Sequence, residues 1–265
     1  MPPPLTSRRN PVVARYRAVA HGQVDGLLLL DGPHLVADAL AAGVEIEHAV
    51  VEETATRTDE IRTLVAQLSA RDVETATASP AVMAGVSPLR SPSVIVAIAR
   101  RPEFDLQRFY AGTHPLVVIV SDVQDPGNMG AMVRAAEAAG ATGVLATGVS
   151  ADPFSWKALR GSMGSALRLP VDRVDTAEEA AAEARAHGCR LIATSPRGGK
   201  SVFDVDLRGA VAVLVGGEGQ GLPAVLIDSA DERVTIPMQP PVESLNAAVT
   251  AAIILYEARR QRGSR

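Results

Sequence analysis

With 265 residues, 47% of them apolar and 21% charged, the chain can build two ordinary domains, each with its own core. A net charge of −4 excludes a uniformly basic nucleic-acid binder, and a single cysteine, Cys189, excludes an intramolecular disulfide and a cysteine-based zinc cluster. No apolar run approaches the ~20 residues of a membrane span, and the opening Met1-Pro2-Pro3-Pro4 lacks the apolar core of a secretory signal, so a cytoplasmic protein is expected.

The charge average hides an asymmetry. Arg8, Arg9, Arg15 and Arg17 precede the first acidic residue, Asp25, and Arg259, Arg260, Arg262 and Arg265 close the chain. Such termini hold phosphates locally or serve as solvated tails, and composition alone leaves both readings open. Asn10-Pro11 opens an expected helix through His21, and the run from Gly26 to Leu30 reads as a buried strand. Asp31-Gly32-Pro33 turns into a helix ending near Gly43, and Val44 to Val51 is the next strand. Thr58-Asp59-Glu60 is the expected cap of a helix whose Ile61, Leu64, Val65 and Leu68 form one stripe. Strands from Val73 to Ala78 and from Ser93 to Ala99 complete a small α/β layer over 1–100.

Pro102, Pro115 and the charges between them mark 101–114 as a linker. The pattern restarts in 115–265. The expected strands are Leu116–Ser121, Gly143–Ala146, Arg190–Thr194, Val211–Val215 and Arg233–Ile236. The expected helices reach Ala139, run from Trp156 to Met163 and from Thr176 to His187, and close the chain up to Arg259, with Ser244 as the last N-cap. Alternating strands and helices predict a parallel sheet covered on both faces, with ligands at the carboxyl ends of its strands.

Three segments at such ends carry the chemistry. They are Ser121 to Gly130 with Arg134, the glycine-rich Gly216 to Gly221, and Ile236-Pro237-Met238 leading to Ser244-Leu245-Asn246. Gly217-x-Gly219-x-Gly221 departs from the G-x-G-x-x-G dinucleotide fingerprint and runs straight into Leu222-Pro223, which counts against a nucleotide-dependent oxidoreductase. By spacing alone, Asn128 and Arg134 are a turn-forming Asn and a surface Arg, and Glu218 a loop acid. His21, His34, His48, His114 and His187 share no ligand spacing, so no metal is expected.

In order and spacing, the three segments resemble the signature motifs of the SpoU/TrmH family, the knotted RNA ribose 2′-O-methyltransferases of the SPOUT class, across the span 115–265. The elements of 1–100, with phrases such as Asn10-Pro11-Val12 and Asp31-Gly32-Pro33, resemble the L30e-like substrate-binding domain found ahead of that core. The resemblance implies an α/β fold whose C-terminal domain is a deep trefoil knot, with S-adenosylmethionine as cofactor. It implies catalytic roles for Asn128, Arg134, Glu218, Ser244 and Asn246. Cofactor contacts fall at Thr194, Ser195, Gly216, Gly217, Ile236, Met238, Ser244 and Leu245, and RNA contacts at Arg8, Arg9, Arg15, Arg17 and Arg160. It further implies a homodimer with the site built across the knot interface, and RNA as substrate, 23S rRNA ahead of tRNA. Arg134 is either the group that activates the 2′-hydroxyl or a clamp for phosphate and developing alkoxide, since a guanidinium stays protonated at ordinary pH. A non-catalytic RNA-binding or ribosome-assembly protein is the alternative, and the presence of all five motif side chains counts against it.

Overall fold

In the computed structural model, which describes residues 4–263, Asn10 begins the first helix as its sequence requires: its side chain accepts from the Val12 N–H at 2.9 Å and Pro11 fills the first helical position. Two units follow from the packing. One runs to Pro102 and takes in Phe154–Leu167; the other comprises Glu103–Pro153 and the described chain from Arg168 on.

The first unit contains α1 (Pro11–Ala20), β1 (Leu27–Asp31), α2 (Pro33–Ala42), β2 (Ile46–Glu52), α3 (Asp59–Ser69), β3 (Glu74–Ala78), α4 (Pro80–Val86) and β4 (Ile95–Arg100). Its sheet runs β1-β4-β2-β3, with β4 antiparallel to both neighbours and β2 parallel to β3. Tyr16, Leu29, Val50, Met83, Val96 and Ile98 pack into its core. The buried Tyr16 hydroxyl lies 2.9 Å from His48 Nδ1 and 3.0 Å from the His48 carbonyl, and burial pushes the imidazole below its ordinary value. Two expectations change here. Thr58 precedes α3 but its hydroxyl donates to the Ala55 carbonyl at 2.9 Å and caps no N–H. Helix α4 is an addition to the expected elements, its seven residues being too short to show a period.

The second unit opens with a single turn, α5 (Leu106–Phe109), inside the span read as linker, where Asp105 accepts from the Gln107 N–H. Then come β5 (Leu116–Ser121), α6 (Pro126–Ala139) and β6 (Gly143–Thr147); α7 (Trp156–Ser162) follows in sequence but packs on β1 of the first unit. The rest is β7 (Val171–Val174), α8 (Ala177–Ala186), β8 (Arg190–Thr194), β9 (Lys200–Ser201), β10 (Val211–Gly216), α9 (Ala224–Ser229), β11 (Glu232–Thr235) and α10 (Ala247–Gln261). The seven strands run β7-β6-β5-β10-β8-β11-β9, parallel throughout. Every residue of β5 is buried, as a strand covered on both faces requires. Helix α10 packs along α6. Its N-cap is Asn246, whose Oδ1 accepts from the Ala248 and Val249 N–H groups at 2.9 and 3.2 Å; Ser244 lies two residues earlier, exposed, and does not cap it. No helix among the described residues is long and apolar enough to cross a membrane.

Candidate active site

After β5 the chain steps outward through β6 to β7, and β8 returns on the other side, leaving the place beside β5 that β10 later fills. The crevice at such a reversal, at the carboxyl ends of the strands, is where open α/β sheets bind ligands. Ser121 at the end of β5 pairs in register with Gly216 at the end of β10, so the loops of the first two motifs leave the sheet side by side.

Local chemistry shapes both loops. Asp125 caps α6 by accepting from the Asn128 N–H at 2.8 Å, with Pro126 in the first helical position, so Asn128 stands in the helix's first turn, not in a loop. A side chain at Gly216 would strike the backbone of Gly221 and Leu222, and one at Gly217 would strike the Asp122 carbonyl. Glycine is what lets this loop fold back on itself and lie against the end of β5.

The three motifs meet in one hydrogen-bonded cluster. Asn128 Nδ2 donates to Glu218 Oε1 at 2.5 Å. Asn246 Nδ2 donates to the same Oε1 at 3.0 Å and to Asn128 Oδ1 at 3.1 Å. The amide of Asn246 has only one workable orientation, because its oxygen is committed to the α10 N–H groups and its nitrogen must face the carboxylate. One donor of Asn128 and the second oxygen of Glu218 stay available for a ligand.

Beside the cluster lies a cleft of about 490 Å³, within the range of small-molecule sites. Thr194, Ser195, Gly216, Gly217, Ile236, Met238, Ser244 and Leu245 all line it. Leu222, Ile227, Thr250 and Ile254 line it as well; Ile254, which by its sequence reads as core or interface, here forms part of the cleft wall. Thr250 and Ile254 stand one and two turns after Asn246, and that spacing is the signal that could have found them. Ser195 Oγ donates to the Arg197 carbonyl at 2.7 Å, tightening the loop after β8.

Other expected residues lie apart. Arg134 is exposed on α6, six residues beyond Asn128 and so on another face of the helix, and makes no hydrogen bond or ion pair among the described residues. Arg8 Nε donates to the Ala81 carbonyl at 2.6 Å and Arg17 Nε to the Gly85 carbonyl at 3.0 Å, tying the start of the chain to α4. Arg15 pairs with Glu47. The Arg9 side chain is exposed. Arg160 is exposed on α7, where its charge acts on the buried Asp31. Arg265 lies outside the described residues.

The SpoU rRNA methylase family matches residues 115–256, which hold every residue of the cluster and the cleft. The chain belongs to this family. An MRM3-like substrate binding domain matches residues 21–97. An uncharacterised tRNA/rRNA methyltransferase of Synechocystis is 34% identical over 97% of this chain and 93% of its own. RlmP of Bacillus subtilis, a 23S rRNA (guanosine(2553)-2′-O)-methyltransferase, is 32% identical over 87% of this chain and 88% of its own. Among solved structures, the SpoU methyltransferase AviRb of Streptomyces viridochromogenes in complex with AdoMet superposes with a TM-score of 0.85 at 30% identity, covering 97% of this chain and 99% of that one. The AdoMet-bound rRNA methyltransferase of Sinorhizobium meliloti gives 0.86 at 31% identity, over 97% of each chain.

Proposed function

We propose that this chain transfers a methyl group from S-adenosylmethionine to a ribose 2′-hydroxyl of RNA, with 23S rRNA as the substrate. One observation carries the reading: the family's three motifs converge on a single cleft, with the Asn128–Glu218–Asn246 cluster at its edge. RlmP, similar along 88% of its own length, is a 23S rRNA methyltransferase, which favours that substrate over tRNA.

The cleft fits the cofactor. Leu222, Ile227, Ile236 and Ile254 offer apolar surface for an adenine, while Thr194, Ser195 and the backbone around Gly216, Gly217 and Leu245 offer polar groups for a ribose and an amino acid. Met238 and Ser244 complete the wall. S-adenosylmethionine supplies a methyl group already activated on its sulfonium. The protein's task is then alignment of the ribose. Glu218, held by two amides, keeps one oxygen to accept from a ribose hydroxyl, and Asn128 keeps one N–H to donate to a sugar or phosphate oxygen. Arg134 fixes RNA phosphate and stabilises the developing alkoxide, because a planar guanidinium binds such oxygens through two N–H groups.

The first unit captures RNA, with Arg9 and Arg160 exposed for phosphate and Arg8, Arg15 and Arg17 shaping the surface through their internal contacts. The working form is a homodimer: Val249 and Tyr256 of α10 are 46% and 51% exposed, an apolar strip on the helix whose first turn lines the cleft. In that dimer Arg134 reaches an active site assembled by both copies. The enzyme is cytoplasmic and needs no metal. The test is incubation of purified protein with labelled S-adenosylmethionine and 23S rRNA fragments, followed by nuclease digestion and mass spectrometry of the nucleosides, with and without a chelator. A 2′-O-methyl nucleoside formed in both arms is expected. Base methylation, or no transfer to any RNA, would overturn the assignment.

A further inference from the structure

Asp122, the first residue after β5, has a backbone conformation that few non-glycine residues adopt, with φ at +58°. Its side chain and its carbonyl reach two different loops. Asp122 Oδ1 accepts from the Val149 N–H at 3.0 Å, while Oδ2 accepts from Ser121 Oγ at 3.1 Å. Gly148, itself at φ +60°, lies so close that a side chain there would collide with Oδ1. On the other side, the Asp122 carbonyl occupies the space that a side chain on Gly217 would fill, one residue before Glu218.

The neighbouring bonds extend this lock. The Val123 N–H donates to Ser150 Oγ at 3.2 Å, and the Ala151 N–H donates to the Val123 carbonyl at 2.8 Å. Arg173 binds the carbonyls of Ser150 and Gly148 at 2.9 and 3.2 Å, pinning the loop after β6 from outside. Only Gln124 and Asp125 then separate this locked segment from α6 and Asn128. Asp122 does not line the cleft.

We propose that Asp122 is a positioning residue for methyl transfer: its left-handed backbone and its carboxylate lock the β5–α6 turn between the glycine loop and the loop after β6, and so fix Asn128 against Glu218. The inference rests on the methyltransferase reading of the site. A left-handed backbone is unfavourable in a non-glycine residue and persists where the surroundings over-determine it. Here those surroundings are the glycine loop, which lines the cleft, and the loop after β6.

The experiment separates this role from simple stability. Wild type, Asp122→Asn, Asp122→Gly, Asp122→Ala and Gly148→Ala are assayed for kcat at saturating RNA and cofactor, for S-adenosylmethionine affinity by calorimetry and for melting. Asn tolerates the backbone and still presents an acceptor to the Val149 N–H, so it retains most of kcat. Gly keeps the backbone but lacks the acceptor, and Ala lacks both. In each, kcat falls roughly ten- to hundredfold, the effect of a small displacement at the reacting groups. Cofactor affinity stays within about twofold of wild type, since the cleft wall is untouched. Gly148→Ala pushes on the same carboxylate oxygen that the Val149 N–H holds and reproduces the loss in kcat. Normal kcat in folded Asp122→Gly or Gly148→Ala protein would overturn the proposal, as would Asp122→Asn activity no better than that of Asp122→Ala. A loss confined to melting temperature would do the same. An inactive wild type would instead refute the methyltransferase reading itself.

Discussion

Asn246 has two separable jobs, and substitution can divide them. Its oxygen caps α10 and its nitrogen bridges Glu218 and Asn128. Asn246→Ala removes both. Losing an N-cap typically costs ~1 kcal/mol, and two solvent-exposed side-chain hydrogen bonds add roughly another 1 kcal/mol. For a unit of about 150 residues, a loss near 2 kcal/mol lowers Tm by about 4–8 °C. Asn246→Ser keeps a side-chain oxygen at a position where Ser caps as well as Asn, so it loses only the bridging bonds and its Tm should fall by about 2–4 °C, half as far as that of the Ala variant. Neither variant carries the bridging amide, so both should lose methyl transfer together, by about tenfold or more once Glu218 and Asn128 are no longer held. The assay pairs thermal melting with single-turnover transfer at saturating S-adenosylmethionine. A Ser variant as unstable as the Ala variant would refute the cap argument. A stable and fully active Ser variant would show that the amide bridge does not organise the site.

Three further outcomes follow from other parts of the structure. Arg134→Ala should leave melting and cofactor affinity nearly unchanged, because the exposed guanidinium makes no hydrogen bond or ion pair among the described residues, while transfer falls ~10²–10³-fold; normal transfer would remove it from the mechanism. Gly216→Ala forces a side chain into the Gly221–Leu222 backbone, and overpacking costs of 1–3 kcal/mol correspond to roughly ten- to hundredfold weaker S-adenosylmethionine binding by calorimetry, so unchanged affinity would contradict the described loop. His48 is held below its ordinary value chiefly by burial, against an upward pull from Glu74. A depressed imidazole binds its proton more readily in the unfolded chain. Its stabilising effect is therefore present above about pH 6.5 and lost as the pH falls through the folded-state value. Melting of wild type from pH 8 to 5 should decline more steeply than that of His48→Gln, and parallel curves would count against the idea.

What could be read from the sequence depended on whether the signal was local. The buried runs of β5 and β10 announce themselves as unbroken apolar segments, and the helix start at Asn10-Pro11 carries its own cap, whereas the cap at Asp125-Pro126 is masked by Gly127, Asn128 and Gly130, which read as loop. The cluster residues were named from the motifs, but their mutual bonds join positions up to 118 apart, beyond any local pattern. β7 and β9 escaped for a different reason. They lie at the two edges of the sheet, and one is four residues long, the other two, so neither carries a readable apolar period. Ser244 and Asn246 are equally good caps by residue type, and only the backbone path decides for Asn246. The sequence leaves the opening arginines open between phosphate contacts and a solvated tail because the acceptors of Arg8 and Arg17, the carbonyls of α4, lie 73 and 68 residues away.

The placement of Phe154–Leu167 in the first unit has a consequence for synthesis on the ribosome. When Pro102 leaves the exit tunnel, the sheet of the first unit is already made, yet the apolar side of β1 that α7 will cover is still bare. The missing helix follows about 65 residues later, an interval of several seconds at ~5–20 residues per second. During that interval β5, α6 and β6 emerge and begin a different core. The nascent chain thus holds one unit unfinished while starting the second, and a break in the 101–114 span of the finished protein would leave part of the first unit covalently attached to the second.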